Sequence, residues 1–232
     1  MNMKVSIIIP TLNEAENIER VIERLKAGSN GLLSDLIVVD GGSEDQTTSL
    51  AAKAGAKVFQ TPPGRALQMN HGVAQSSGEL LYFVHGDTLP PEDYLDKILQ
   101  AVAAGYPVGC FRFRFNSDRW ILKLNAYFTR FNQIWCRGGD QSLFITREAF
   151  DALNGYRSDY RIMEDYDLII RAQKKYRFMV IQDDVIVSAR KYETNSYLRV
   201  QAANFVVFNM FRLGYSQDRM AKTYKRLLNY RY

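Results

Sequence analysis

The sequence predicts an α/β fold, a largely parallel sheet covered by helices on both faces. Three observations carry the prediction. Short apolar runs alternate with stretches of helical period, the connections between them are short, and each of the first four apolar runs ends in a polar or glycine-rich turn.

Taken in order, Lys4 to Ile9 is a strand closed by Pro10, and Ile18, Val21, Ile22 and Leu25 then recur at the three-and-four spacing of a helix. Asn13, with Glu16 three residues on, predicts a capping box at the start of that helix. Leu36 to Val39 reads as a buried strand, followed by a helix from about Asp45 whose free backbone N–H would bond the Ser43 hydroxyl. A strand at Lys57 to Gln60, a helix after Gly64 and a strand at Leu80 to Val84 continue the rhythm. In the second half Phe111, Phe113 and Phe115 alternate with Arg112 and Arg114, the period of two of a strand with one apolar face. Ile121, Leu124, Phe128, Phe131 and Trp135 predict one core-facing helix over 119–135. A short strand at Leu143 to Ile145, a helix from Glu164 to about Lys174, strands at Phe178 to Ile181 and Val185 to Val187, and two tail helices complete the chain. With no repeat, low-complexity tract or linker, the expectation is one body over 1–192 and a basic helical extension over 193–232.

The 232 residues are 47% hydrophobic and 24% charged, which suits a folded domain and excludes disorder, collagen-like repeats and a disulfide scaffold. Cys110 and Cys136 form no C-x-x-C pair and, with only His71 and His85, no zinc spacing; two reduced, buried thiols of a cytosolic protein are expected. The chain opens directly on an apolar strand, without a signal-peptide arrangement, and no stretch reaches the roughly 18 apolar residues of a membrane span. The expected location is the cytoplasm, at most peripheral on the inner face of the membrane.

Charge is unevenly placed. Residues 186–232 hold nine Lys/Arg against two Asp/Glu, whereas the body holds 21 against 23. Phe205, Val206, Phe208, Phe211 and Leu213 lie among the tail cations, and a helix of this kind either packs on its own domain or rests on an anionic bilayer. No RNP, KH or zinc-finger signature accompanies the charge, so nucleic acid is not an expected partner. Nothing in the composition specifies an oligomeric state.

In a parallel sheet, ligands sit beyond the carboxyl ends of the strands. The turns there are Pro10-Thr11-Leu12-Asn13-Glu14, Asp40-Gly41-Gly42-Ser43, Gly64-Arg65 and His85-Gly86-Asp87. Together with Gly138-Gly139-Asp140-Gln141 and Glu164-Asp165-Tyr166-Asp167-Leu168, in this order and at these spacings, the chain resembles the inverting family 2 glycosyltransferases, whose strands end in P-T-x-N-E, V-D-D-G-S and D-x-D. The segments Gly64 to Asn70 and Ser188 to Tyr192 look most like a small bacterial subgroup associated with arsenosugar biosynthesis. The resemblance covers essentially the whole chain. It implies the GT-A three-layer fold with a nucleotide-sugar donor half over 1–88 and an acceptor half over 109–192. The implied reaction is metal-dependent transfer of a sugar from a nucleotide-diphosphate donor, expected to be UDP-linked, to an acceptor hydroxyl that the sequence does not identify.

Physical reasons attach to each piece. Asp40 and Asn13 can hydrogen-bond a base or ribose, and Gly41 and Gly42 let a planar nucleoside approach backbone; a turn aspartate is the alternative for Asp40. Glu14 and Glu16 either touch the nucleoside or favour the helix dipole. Arg65 at a helix N-terminus opposes the dipole unless an anion such as the donor diphosphate joins it. Asp87 is the expected ligand of a divalent cation, Mn²⁺ or Mg²⁺, bridging two phosphates. His85 stands where the family has the first Asp of D-x-D; a neutral imidazole there suits Mn²⁺ or serves structure alone. By resemblance Asp165 is the base that takes the acceptor proton, with Glu164 positioning it, Gly139 and Asp140 lining the sugar pocket, and Arg190 covering the diphosphate. The absence of membrane spans and of Q-x-x-R-W argues against a processive synthase, and the absence of G-x-G-x-x-G argues against a dinucleotide oxidoreductase. A polyprenyl-phosphate sugar synthase and a non-catalytic nucleotide-sugar-binding module stay open.

Overall fold

The computed structural model describes residues 3–228. Its seven strands, β1 (Val5–Thr11), β2 (Leu33–Asp40), β3 (Lys57–Gln60), β4 (Leu80–Phe83), β5 (Val108–Phe115), β6 (Leu143–Thr146) and β7 (Phe178–Val187), form one sheet in the order β3-β2-β1-β4-β6-β5-β7. All pairings are parallel except those that β6 makes with β4 and β5. Pro10 is tolerated in a central strand because β1 pairs with β4 only as far as Ile8, so its missing N–H falls beyond the shared ladder.

The alternation of each strand feeds two cores. Val5, Ile7, Ile9, Tyr82 and Phe111 lie under α1 (Ile18–Ala27), α4 (Tyr94–Ala103) and α5 (Trp120–Tyr127). Ile8, Leu81, Phe83 and Cys110 lie under α3 (Arg65–Ala74), α6 (Arg147–Ala152) and α7 (Glu164–Lys175). α2 (Thr47–Lys53) follows β2, and α8 (Lys191–Thr194), α9 (Tyr197–Arg212) and α10 (Gln217–Leu227) close the chain. Each fully buried aliphatic side chain of β1 contributes about 1.5–3 kcal/mol, which is why the strand nearest the site is also among the best held. Cys110 and Cys136 are free and buried as expected.

Several local expectations are corrected. Helices α4 and α6 are additional to the expected elements, although Tyr94, Leu95, Ile98 and Ala101 recur at helical spacing in α4. The stretch 119–135 is a helix only to Tyr127, followed by 3₁₀ turns at Phe128–Arg130 and Ile134–Cys136. It buries Leu122 and Ala126, while Trp120 (72% exposed), Leu124, Phe131 and Trp135 (58% exposed) face outward, so the anticipated core face is a surface. The two predicted strands after Lys175 are one strand, β7, with an irregularity where Phe111 pairs with Ile181 but Arg112 with Asp184. Of the tail, Val200, Ala203 and Val207 pack inward, yet Leu198 and Phe205 (70% exposed) stand out on α9 and Leu213 just beyond its end. Among the described residues no helix is long and apolar enough to cross a membrane.

Candidate active site

The crevice opens at the carboxyl end of β1 and β4, where the strand order reverses direction, the position at which open α/β sheets bind ligands. Its floor is a stitched pair of loops. Asn13 adopts φ 55°, its N–H donates to Ser43 Oγ (2.8 Å), and its Oδ1 accepts from the Glu44 N–H (2.9 Å). The capping box expected of Asn13 and Glu16 therefore does not form, because the Asn13 side chain is spent on a loop thirty residues away. Ser43 likewise does not cap α2: its hydroxyl donates to Asp40, and Asp45 instead accepts from the Thr47 N–H at the helix start (3.0 Å).

Asp40 is wholly buried. Its carboxylate accepts from the N–H of Gly42 (2.9 Å) and of Ser43 (2.8 Å), from Thr11 Oγ1 (3.3 Å) and from the Ser43 hydroxyl. With both oxygens occupied it shapes the loop, the turn role weighed against base or ribose contact. Gly41 also works differently from the expectation: a Cβ there would sit 3.2 Å from Gln68 Nε2, which donates to the carbonyls of Thr11 (2.9 Å) and Val39 (2.8 Å). The glycine makes room for Gln68, a residue that sequence reading passed over. Gly42, at φ 99° with open space beside it, is the position that leaves backbone accessible. Gly86 permits the β4 loop to touch the β1 loop, since a Cβ would meet Glu14 Cγ at 3.0 Å and Thr11 Cγ2 at 3.1 Å. Pro10 and Thr11 are buried at the end of β1.

Two arginines tie the halves together. Arg190, entering α8, forms an ion pair with the buried Glu14 and lies 3.6 Å from Asp87 Oδ2. Arg65, the first residue of α3, lies 3.5 Å from Glu164 Oε1, so the anion beside this helix-start cation is a side chain of the acceptor half. Asp140, exposed in the 3₁₀ turn Gly139–Gln141, places Oδ1 3.7 Å from His85 Nδ1, in charge range but beyond a hydrogen bond. Burial, reinforced by Arg65, pushes the His85 imidazole below its ordinary pKa and keeps it neutral. Burial and the nearby Glu14 carboxylate push Asp87 up.

At the start of α7, Glu164, Asp165 and Asp167 are all buried in the first turn, where the dipole favours carboxylates. Met163 precedes them at φ 66°, a left-handed conformation uncommon for a residue with a Cβ. Asp167 pairs with Arg171 (2.7 Å), and Glu164 has Arg65. Asp165 has no such ion pair among the described residues. Burial and the adjacent Glu164 charge raise it to about 7, against the partial pull of Arg65. Behind it stands Tyr156, whose buried hydroxyl approaches the Asp165 carboxylate and partly offsets its rise, and whose backbone is clamped by Asn70 (2.7 and 3.0 Å). Arg137, like Gln68 and Tyr156, is a residue sequence reading missed: fully buried, it donates to Cys110 Sγ (3.0 Å) and to the carbonyls of Thr129 (2.9 Å) and Phe131, holding the loop that leads to Gly138 and Asp140.

No three His, Cys, Asp or Glu residues among those described form a protein cage for a metal. Asp87 and His85 instead offer an incomplete set, and a carboxylate raised by burial beside other acids is one that gains from a cation. Such a donor set fits a divalent ion that completes its shell with phosphate oxygens and water.

A switch-point crevice of this topology, with an acidic β4 turn and a buried acidic pair opening the helix across from it, defines a GT-A glycosyltransferase fold. The chain belongs to glycosyl transferase family 2, whose model matches residues 6–158. Among its relatives, glucosyl-3-phosphoglycerate synthase of Mycolicibacterium smegmatis is 35% identical over 105 residues, 41% of this chain and 35% of that protein. Dolichol-phosphate mannosyltransferase of Pyrococcus furiosus is 32% identical over 109 residues, 44% of this chain and 31% of that one. The matched segments thus span about a third of these relatives. In solved structures, glucosyl-3-phosphoglycerate synthase of Mycobacterium tuberculosis, in complex with Mn²⁺, uridine diphosphate and glucosyl-3-phosphoglycerate, superposes with a TM-score of 0.68 at 19% identity, covering 92% of this chain and 81% of that one. A mannosyltransferase of Pyrobaculum calidifontis, in complex with GDP-Man and Mn²⁺, gives 0.65 at 18%, covering 97% and 70%.

Proposed function

We propose that the chain transfers a sugar, with inversion, from a nucleotide-diphosphate donor of the UDP class to an acceptor hydroxyl. The observation that carries this reading is Asp165, a buried carboxylate without an ion pair, raised to about 7 and set across the crevice from the Asp87 turn. A general base works best with a pKa near the operating pH. The acceptor oxygen attacks the anomeric carbon opposite the diphosphate, its proton passes to Asp165, and the bond to the diphosphate breaks with the electron pair leaving on the nucleotide. Glu164, held by Arg65, keeps Asp165 at the head of α7, while the accessible backbone at Gly42 would meet the nucleoside and Asn13 and Glu14 would hold the loops beneath it. Arg65 and Arg190 offset charge on the departing group. A divalent cation held by Asp87, with His85 beside it, would neutralise the diphosphate.

Mn²⁺ in the structures of relatives supports the metal, and their named products and substrates, a glucosylated phosphoglycerate and dolichol phosphate, support an acceptor that carries a phosphate. In this reading residues 1–192 are the catalytic body and 193–232 an extension, and the finer resemblance to the arsenosugar-associated subgroup rests on the Gly64–Asn70 and Ser188–Tyr192 segments. The test is calorimetry with UDP, with and without Mn²⁺, followed by donor hydrolysis. Mn²⁺-dependent UDP binding that Asp87→Ala abolishes is the expected result; normal donor turnover by Asp87→Ala refutes the assignment, and binding without any hydrolysis or transfer favours a non-catalytic module.

A second reading, a polyprenyl-phosphate sugar synthase at the membrane surface, is favoured by the outward aromatic and aliphatic side chains of α5 and α9 next to a cationic tail. Flotation with anionic vesicles supports it; failure to float supports a soluble acceptor.

A further inference from the structure

A second cavity, of about 210 Å³, lies against Asp87. α1 contributes Arg20 to it and the end of β5 contributes Arg114, with Asn116 and Ser188 adding polar groups and Leu89 an apolar wall. Neither Arg20 nor Arg114 has an ion pair among the described residues, in a chain where Arg24, Arg65, Arg112, Arg157, Arg161, Arg171 and Arg190 all do. Two guanidinium groups on one small cavity repel each other unless an anion joins them. Asp87, the acidic residue on the same wall, already faces Arg190 and is the group reserved for a cation. Asn116 is fixed for polar recognition, because its Oδ1 accepts from the Ala189 N–H (2.8 Å), which leaves its amide N–H₂ to donate.

We propose that this cavity binds the phosphate of the acceptor, Arg20 and Arg114 gripping it from opposite elements while the attacking oxygen, a hydroxyl of a soluble phosphomonoester or a phosphate oxygen of a polyprenyl monophosphate, faces the reacting end of the donor. The inference rests on the transferase reading for the word acceptor, but the anion site stands on its own geometry. A dianionic phosphate suits it better than a carboxylate, since one group then answers both arginines with fork-shaped, charge-assisted bonds. The volume equals that of about seven waters, room for a phosphate and a short attached chain. A longer chain would leave through the open side, so a lipid-linked and a soluble phosphomonoester present the same headgroup.

The test is calorimetric titration of the full chain with inorganic phosphate, first alone and then saturated with UDP and Mn²⁺, for wild type, Arg20→Gln, Arg114→Gln and the double variant. Both arginines are exposed, so the variants keep the fold. Phosphate binding that persists under UDP and Mn²⁺ and weakens about tenfold or more per arginine, the weight of one charge-assisted hydrogen bond, is the expected result. Equal phosphate affinity in wild type and double variant overturns the proposal; so does no binding by wild type, and so does complete displacement by UDP, which would put the phosphate in the donor site. If UDP itself fails to bind, the donor reading fails separately and the titration of the donor-free chain still decides the cavity. Phosphatidylcholine vesicles with and without polyprenyl monophosphate identify the source. Retention only by the phosphorylated vesicles, lost in the double variant, supports the site with a lipid acceptor; no retention, with phosphate binding intact, supports it with a soluble one.

Discussion

Replacing Asp165 with Asn separates stability from activity in opposite directions. The carboxyl rises from 3.8 to about 7 on folding, chiefly by burial and then by Glu164. A group whose folded pKa is raised binds its proton more tightly in the native state, so its contribution is full at low pH and is lost as pH climbs from about 4 to about 7. Three units correspond to up to about 4 kcal/mol, a large share of a typical 5–15 kcal/mol stability. Asparagine keeps the shape without the charge. Urea unfolding of the donor-free chain at pH 5 and pH 8 should therefore show wild type losing stability relative to Asp165→Asn, by roughly 2–4 kcal/mol at the upper pH. Activity should move the other way, falling about 10²–10⁴-fold in the variant at pH 8. In wild type, kcat/KM should decline about tenfold per unit below pH 7 as the base is protonated. Parallel unfolding curves for the two chains across that range would refute a buried, charge-strained Asp165, and a variant retaining full activity would refute its role as base.

Other positions give shorter tests. Gly41→Ala should displace Gln68 from the carbonyls of Thr11 and Val39, costing about 1–3 kcal/mol on thermal unfolding and weakening UDP binding, whereas Gly42→Ala should act through its positive φ instead. Glu14→Gln should remove one of the two carboxylates that Arg190 faces, raising the KM for donor more than it changes the melting temperature. Asp35, held well below the usual carboxylate range by Lys57, Ser77 and Ser6 despite partial burial, stabilises the β1–β2 edge at neutral pH; that contribution is lost as pH falls below about 4, and Asp35→Asn should flatten the acid limb of the unfolding profile.

The sheet was legible in the sequence because each strand is a short apolar run with its own terminating turn, and those turns fell together at one edge. Boundaries failed where a tertiary partner outbid a local one. Asn13 and Ser43 have the chemistry of caps, yet each finds its partner in the neighbouring loop, and nothing in local spacing reports that. The period at 119–135 was real, but Leu122 and Ala126 took the core side, so the more conspicuous aromatics were mistaken for buried ones. Within the site the loop residues were readable as motifs. Gln68, Arg137 and Tyr156 were not, because they act on backbone carbonyls or through burial beside a residue distant in the chain. A lone arginine before a glycine pair was the only available signal for Arg137.

The composition of the crevice bears directly on how a donor can enter it. Glu14, Asp87, Asp140, Glu164 and Asp165 converge there against Arg65 and Arg190, so the site is acidic although the chain as a whole is basic. Burial first, and this excess after it, pushes both Asp87 and Asp165 up. A nucleotide diphosphate brings further negative charge to a place already short of cations, and Arg190 is engaged with Glu14 before it arrives. Binding therefore requires positive charge delivered with the ligand, which is the role left for a divalent ion at Asp87. It follows that UDP affinity without Mn²⁺ should improve when Asp140 is changed to Asn, while affinity in saturating Mn²⁺ should change little. Unaltered metal-free affinity in that variant would mean that the acids are individually neutralised and that the metal is needed for the reaction step alone.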